Sequence, residues 1–144
     1  MPGKQASTVE LKLPGQPEYL LVARLATSGV GLRAGLTVDD IEDLKVAVAE
    51  ACTNVINHAF AENVSPDKRR IQLRMTTAKG EMTVEVEDEG LGFDPEELER
   101  GRRNGLEGEG GLGFGLMREL TDSIRIESAP GSGTRVIMVK RATR

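Results

Sequence analysis

The segment TVDDIEDLKVAVAEACTNVINHAF, residues 37–60, constrains the fold of this chain more than any other part of its sequence. Thr37 is placed to cap a helix, and Asp40 follows three residues later, where a capping box has its second side chain. Apolar residues then recur at intervals of three and four, the spacing of a helix with one buried face. They are Ile41, Leu44, Val48, Cys52, Val55 and Ile56. We therefore predict a long amphipathic helix that must pack against a second layer.

Length and charge limit the chain to one domain and disfavour two classes of partner. A chain of 144 residues with 38% hydrophobic content suffices for one compact domain, residues 1–144, and leaves no room for a second. Its 19 basic and 23 acidic residues are mixed along the sequence and give a net charge of −4. This charge distribution provides no basic surface that could bind nucleic acid or an anionic membrane, so we expect neither as a partner.

A single cysteine, Cys52, cannot form an internal disulfide or a thiolate metal cluster. The sequence starts with neither a signal peptide nor a long apolar run, so we expect a cytoplasmic protein. Cys52 lies on the apolar side of the predicted helix and is expected to be a small buried hydrophobe. His58 has no second histidine or cysteine as a partner, and we expect a structural role for it.

Apolar and polar residues alternate in five further segments, which is the pattern of strands with one buried face. These segments lie at residues 9–13, 70–77, 82–88, 123–129 and 134–140. Helical spacing predicts two more helices, at about residues 17–32 and 112–122. The order β, α, α, β, β, loop, α, β, β, with strands linked as hairpins, favours an α+β sandwich over a doubly wound sheet.

Between residues 90 and 115 glycines are frequent and apolar residues are too few to pack a core, so we predict a long surface loop. A loop of this length inside a small domain calls for a function. Its last part, GGLGFGL, gathers backbone N–H groups just before a helix, which favours a phosphate. The segment neither follows a strand, as a dinucleotide fingerprint does, nor carries the Lys-Ser/Thr of a P-loop.

Glu50 and Asn54 lie one turn apart on the long helix, and Asn57 and His58 follow one turn further along the same stripe. One interpretation of this polar stripe is a solvated helix face. The other is a catalytic site, because a carboxylate and a carboxamide at this spacing can activate a hydroxyl and hold Mg²⁺, which prefers oxygen ligands.

The motifs EACTNVINHAF, DEGLGF, GGLGFGL and GSGTRV occur in this order, and together they resemble the N, G1, G2 and G3 boxes of the GHKL ATPase superfamily. Within it the chain resembles the small anti-sigma-factor serine kinases of the RsbW and SpoIIAB type, because its long helix follows their pattern and its lid, about residues 93–112, is short. The resemblance implies the histidine-kinase-like (Bergerat) fold. In that fold about three helices cover one face of a mixed, mostly antiparallel sheet.

The resemblance also implies a site for ATP. By the family's pattern Asp88 hydrogen-bonds the adenine amino group, and Thr134 supports the adenine pocket. Gly90 and Gly92 would let the backbone approach the base, since a side chain at either position would obstruct it.

At the phosphate end the resemblance implies a site for Mg²⁺ and a catalytic base. Asn54 would ligate Mg²⁺, and Glu50 would deprotonate a serine of a partner protein. Three glycines would line the phosphates: Gly111, Gly113 and Gly115. Two lid residues, Arg102 and Arg103, would either steady the γ-phosphate or keep the loop soluble.

The implied activity is that of a Mg·ATP-dependent serine kinase acting on an anti-anti-sigma protein of the STAS type, which also binds and inhibits an RNA polymerase sigma factor. The resemblance further implies a homodimer and a partner contact at Arg24, which could equally be a solvent-facing helix charge. Two alternatives stay open. One is a switch kinase of the RsbT type that acts on a regulatory scaffold without binding sigma, and the other is a non-catalytic, ATP-dependent binding module.

Overall fold

The structure is a computed structural model that describes residues 6–103 and 113–143. These residues form five strands: β1 (Ser7–Pro14), β2 (Arg70–Ala78), β3 (Glu81–Asp88), β4 (Ser123–Ser128) and β5 (Thr134–Arg141). Four α-helices are α1 (Leu20–Ala34), α2 (Val38–Asn54), α3 (Pro95–Arg103) and α4 (Phe114–Leu120). Short 3₁₀ turns precede α1 and β2, at Pro17–Tyr19 and Pro66–Lys68. The order of elements confirms the prediction except for α3, which lies in the segment predicted to be a loop.

The five strands form one sheet in the order β1-β2-β3-β5-β4. Each neighbouring pair among these described strands is antiparallel, whereas we expected a mixed, mostly antiparallel sheet. Hairpins set the direction of two of these pairs, because β2 and β3, and β4 and β5, follow each other directly and short turns can join only antiparallel neighbours. The turn between β2 and β3 contains Gly80 at φ 71°.

The helices pack on one face of the sheet, where alternate strand residues form the core. The inward-facing side chains include Leu73, Met75, Val84, Val86 and Met138, and each is at most 1% exposed. Helix α2 crosses β3 and β5, and its apolar stripe includes the fully buried Leu44, Val48 and Cys52. Burial raises the pKa of the Cys52 thiol to about 12, so this cysteine is an inert hydrophobe, as predicted. The two-layer α+β sandwich is therefore confirmed.

The opposite face of the sheet carries charged side chains that pair across the strands. Arg135 on β5 lies 2.9 Å from Glu87 on β3 and 3.5 Å from Glu127 on β4. These side chains are each between 39% and 47% exposed, so the pairs are solvated and contribute little to stability.

The start of α2 has the capping box that its sequence predicts. The Thr37 hydroxyl accepts from the Asp40 amide at 3.1 Å, and the Asp40 carboxylate accepts from the Thr37 amide at 3.0 Å. The same carboxylate also accepts from the amide and hydroxyl of Thr143. Burial alone would raise the pKa of Asp40, but the bonds from Thr143 and Thr37 outweigh it and hold the pKa well below its usual range. Asp40 thereby joins the segment after β5 to the start of α2.

Helix α1 extends through Gly29 and Gly31, two residues that lower helix propensity. It continues to Ala34 and stops at Gly35, which adopts φ 85° as a helix-ending residue. A Cβ at Gly31 would be 2.8 Å from the Cγ1 atom of Ile41, so this glycine lets α1 approach α2 closely. No helix in the described residues is long and apolar enough to cross a membrane.

Helix α3 corrects the prediction of an unbroken loop. Asp94 caps it by accepting from the Glu96 amide at 2.9 Å, and Pro95 occupies the first helical position. Aspartate, proline and two glutamates in succession are a helix-start signal, which the glycines on either side obscured. Leu98 anchors the helix by packing against the core.

Candidate functional site: an apolar pocket between helix α2 and the sheet

A pocket opens between the end of α2 and the carboxyl end of β3. Most of its wall is apolar, and two polar strand residues, Asp88 and Thr134, share one side of it. Its lining residues are Ala51, Asn54, Val55, His58, Ala59, Val86, Asp88, Gly92, Phe93, Phe114, Thr134 and Val136. An apolar slot with few fixed polar groups suits a flat aromatic ligand whose edge is hydrogen-bonded.

Asp88 is the buried polar group of this pocket. It ends β3 and is 7% exposed, and its Oδ1 atom accepts from the Gly90 amide at 2.8 Å. A second backbone bond comes from the amide of Thr134, its neighbour on β5. Burial raises the pKa of Asp88 above its usual range, although both hydrogen bonds oppose the rise. The carboxylate is therefore held rigidly beside an apolar surface.

Gly90 and Gly92 are required by the protein's own backbone. A Cβ at Gly90 would lie 2.1 Å from the carbonyl oxygen of Ala59, and one at Gly92 would lie 2.1 Å from that of Ala129. Gly92 also adopts φ 68°. We expected these glycines to make room for a base, whereas the structure gives them a prior reason, the close packing of the loop against two neighbouring segments.

That close packing depends on a change in helix type. After Asn54, residues Val55–Ala59 form a π-helical turn, which the sequence pattern did not indicate. The Ala59 carbonyl at its end accepts from the amide of Leu91 at 2.7 Å. The turn therefore fastens the loop after β3 to the end of α2, and π turns of this kind are frequent at functional sites.

Glu50 and Gly113 lie against each other, and each is close in sequence to a residue that lines the pocket, Asn54 and Phe114 respectively. Glu50 is half-buried on α2, and a Cβ built on Gly113 would lie 2.7 Å from its Oε2 atom. Gly113 adopts φ 70° and directly precedes α4. Asn54 lies one turn after Glu50 on the same helix and lines the pocket. The structure thus brings the end of the glycine-rich segment against the polar stripe of α2.

Comparison with known proteins gives this arrangement its context. Residues 13–140 match the family described as the histidine kinase-like ATPase domain. The serine-protein kinase RsbW of Bacillus subtilis is 39% identical over 142 residues, which cover 94% of this chain and 86% of that protein.

The chain belongs to the histidine kinase-like ATPase family. A second relative, the serine-protein kinase RsbW of Bacillus velezensis, is 38% identical over 139 residues, covering 92% of this chain and 84% of that protein. Together these relatives place the chain among the RsbW-type enzymes, so it is an ATP-dependent protein serine kinase. A crystal structure of the RsbU and RsbW domains of a Mycobacterium tuberculosis protein has the same fold, with a TM-score of 0.68 at 20% identity. It aligns with 96% of this chain and 32% of that longer one.

The kinase brings together most of the predicted site residues that the structure describes. Asn54, Asp88, Gly92 and Thr134 line the pocket. Gly90 adjoins the pocket through its bond to Asp88, whereas Glu50 and Gly113 contact each other next to Asn54 and Phe114 in the sequence. Gly115 lies in the first turn of α4, and the space that its Cβ would occupy is open.

The remaining predicted residues are Gly111, two lid arginines, Arg24 and His58. Gly111 is outside the described residues, as is most of the second half of the predicted lid. Arg102 and Arg103 belong to α3. Arg24 is exposed on α1. His58 is exposed and lines the pocket.

Two pocket residues and one residue that bonds to the pocket wall escaped prediction. The rings of Phe93 and Phe114 pack at a centroid distance of 6.0 Å and form one wall. Ser128, on β4, bonds to the hydroxyl of the pocket residue Thr134 at 2.8 Å. Phe93 ends the motif DEGLGF and Phe114 lies within GGLGFGL, so the sequence held a signal for them. Ser128 carried none, because its contact depends on strand register.

Proposed function

We propose that this kinase transfers the γ-phosphate of Mg·ATP to a serine of a STAS-type anti-anti-sigma protein, and that it also binds and inhibits an RNA polymerase sigma factor. The observation that carries the proposal is the placement of two carboxylates. Asp88 lines the pocket, buried beside its apolar walls, and Glu50 lies one helical turn before the pocket-lining Asn54 and against Gly113 of the glycine-rich segment. Competition between the two partner proteins would then switch the sigma factor on and off.

Asp88 would read the adenine. Its carboxylate already accepts two backbone N–H bonds, and ionised oxygens with remaining lone pairs suit the amino group of the base. Val86, Val136 and the Phe93–Phe114 pair would sandwich the ring and exclude water. Gly90, Gly92 and Thr134 would shape the same end of the pocket, because they fix the loop and the strand that hold Asp88.

The phosphates would lie at the other end, beside Gly111, Gly113 and Gly115. The positive φ of Gly113 and the open space at Gly115 support close approach of a ligand to this backbone. The donor set here fits Mg²⁺, because Asn54 and Glu50 provide oxygen atoms one turn apart and Mg²⁺ characteristically takes few protein ligands together with phosphate oxygens. Bound Mg²⁺ would neutralise charge on the transferred group.

Glu50 would act as the general base. Its half-buried carboxylate lies against Gly113, so a serine hydroxyl presented there would come within reach of a proton acceptor next to the phosphate site. The proton of the hydroxyl would pass to Glu50 as the serine oxygen bonds to the γ-phosphorus and the bond to the β-phosphate oxygen breaks. Asn54 would hold the metal, and the rigid pocket would supply the alignment on which phosphoryl transfer depends.

The exposed side of α1 is the proposed contact surface for the protein partners. Arg24 lies there between two leucines, Leu21 and Leu25, which are 61% and 63% exposed. A cation flanked by exposed apolar side chains is a composition typical of protein interfaces. The kinase is further proposed to act as a homodimer, on the basis of its family alone.

The experiment combines purified kinase, γ-labelled ATP, Mg²⁺ and each STAS-type protein of the same genome. Label on a serine of one of them is the expected result. If ATP binds and no STAS protein is labelled, labelling of a scaffold protein would favour the switch kinase, and no labelling at all would favour the non-catalytic module. Retention of a sigma factor by the wild type but not by Arg24→Ala, with ATP affinity unchanged, would support the α1 surface.

A further inference from the structure

Ser128 connects three parts of the pocket wall. Its Oγ atom accepts from the Phe93 amide at 2.9 Å and donates to the Gly133 carbonyl at 3.0 Å. The same atom lies 2.8 Å from the Oγ1 atom of Thr134, its partner across strands β4 and β5. The function proposed above gives Ser128 no role.

The direction of the Ser128–Thr134 bond follows from counting protons. A serine hydroxyl has one proton to donate and two lone pairs that accept. We assign the proton of Ser128 to the Gly133 carbonyl, which can only accept, and one lone pair takes the Phe93 amide. In this assignment only a lone pair remains to face Thr134, and the Thr134 hydroxyl donates in that bond. The lone pairs of Thr134 then stay available to a ligand.

Thr134 and Asp88 adjoin each other at this end of the pocket. They are register partners on β3 and β5, and the Thr134 amide donates to the Asp88 carboxylate. With the Thr134 proton given to Ser128, both side chains present acceptors to the pocket. These two acceptors can take hydrogen bonds from an amino group of the base. A carbonyl oxygen at the same place would face their lone pairs and would be repelled.

We propose that Ser128 is a positioning residue that sets the base specificity of the nucleotide site. It takes the proton of Thr134 and so makes this threonine an acceptor toward the base. Adenine carries an amino group where a purine such as guanine or hypoxanthine carries a carbonyl oxygen. The inference rests on the proposed function, since it takes the pocket to hold the purine of the nucleotide.

The test compares the binding of ATP and inosine triphosphate, whose purines differ by an amino group or a carbonyl at the same position. Ser128→Ala frees the Thr134 hydroxyl to turn and donate. We expect ATP to bind more weakly and inosine triphosphate to hold or gain affinity, so that the preference for ATP falls by about tenfold. Ser128→Thr keeps the hydroxyl and should keep the preference.

The control separates specificity from a general effect on the pocket. In a Thr134→Val background no hydroxyl remains to be oriented, so adding Ser128→Ala should leave the ratio of the two affinities unchanged. If Ser128→Ala fails to fold, Ser128→Cys replaces it, because a thiol is only a weak donor and acceptor. Equal losses for both nucleotides would mean a merely structural role and would overturn the inference. A wild type that binds neither nucleotide would overturn the proposed function along with it.

Discussion

Gly113 lies against the carboxylate of Glu50, so close that a Cβ on the glycine would be 2.7 Å from the Oε2 atom. The two residues are far apart in sequence and belong to different elements, the glycine before α4 and the glutamate on α2. Their contact joins the proposed base to the proposed phosphate-binding segment. The geometry of the reaction end of the pocket therefore depends on this approach.

Replacing Gly113 by alanine should disturb Glu50 as well as the backbone. Gly131→Ala is the matched control, because Gly131 has a similar positive φ of 84° with open space around its Cβ position. Both variants should lose about 1 kcal/mol of unfolding free energy to left-handed strain. Only Gly113→Ala should also lose phosphoryl transfer, by about tenfold or more, in a labelled-ATP assay. Equal activity of the two variants would show that the contact with Glu50 is unimportant.

Gly90→Ala should be among the most destabilising single changes in this chain. Its methyl group would lie 2.1 Å from the Ala59 carbonyl oxygen, which is backbone and cannot move aside without breaking the bond to Leu91. We expect a loss of about 3 kcal/mol or more in urea unfolding. Gly29→Ala, inside α1 with open space around it, should instead stabilise the protein by about 0.5–1 kcal/mol. A mild effect at Gly90 would contradict the described packing.

Asp88→Asn should weaken nucleotide binding without unfolding the protein. The amide replaces one acceptor oxygen by a donor, which leaves a buried bond mismatched and costs about 1–3 kcal/mol of binding free energy. Because burial raises the pKa of Asp88, ATP affinity of the wild type should also fall on acidification at a pH above the usual aspartate range. Calorimetry across pH measures both effects, and wild-type affinity in the variant would refute the role of Asp88.

Asp40→Asn tests the junction between α2 and Thr143. Hydrogen bonds hold the pKa of Asp40 below its unfolded value of about 3.9, so its stabilising contribution is complete above that pH and is lost as the pH falls further. The variant should lose about 2 kcal/mol at pH 7 and at pH 5. Below about pH 4 the gap from the wild type should narrow. Asp39→Asn, at an exposed position of the same turn, should show neither effect in urea unfolding.

Most of the fold could be predicted because periodicity and capping signals agree along the chain. The box of Thr37 and Asp40 and the alternation of β2 and β3 each appear in the structure as the sequence indicates. Helix α3 was not predicted, because the glycines around it indicated a loop, although Asp94 and Pro95 are a helix-start signal. The spacing of apolar residues indicates a helix but does not distinguish a π-helical turn from an α-helical one. The π turn at Val55–Ala59 was therefore not predicted.

The candidate site likewise contains features that the sequence predicted and features that it did not. Asp88, Glu50 and the glycines were found because they carry motifs with fixed spacing. The close contact of Gly90 with Ala59 was not predicted, because Ala59 belongs to another element and sequence neighbours do not show it. Ser128 was missed for the same reason, because only the register of β4 and β5 places it beside Thr134. Contacts between segments that are distant in the sequence could therefore not be predicted from residue patterns.

The most direct test of the account is phosphoryl transfer by Glu50→Gln, measured together with ATP affinity. Glu42→Gln is the matched control, since Glu42 lies on the same helix with a side chain that is 62% exposed and paired with Lys45. We predict that Glu50→Gln binds ATP as the wild type does and loses transfer to the protein substrate by at least about a hundredfold, while Glu42→Gln keeps both. Undiminished transfer by Glu50→Gln would contradict the assignment of the catalytic base.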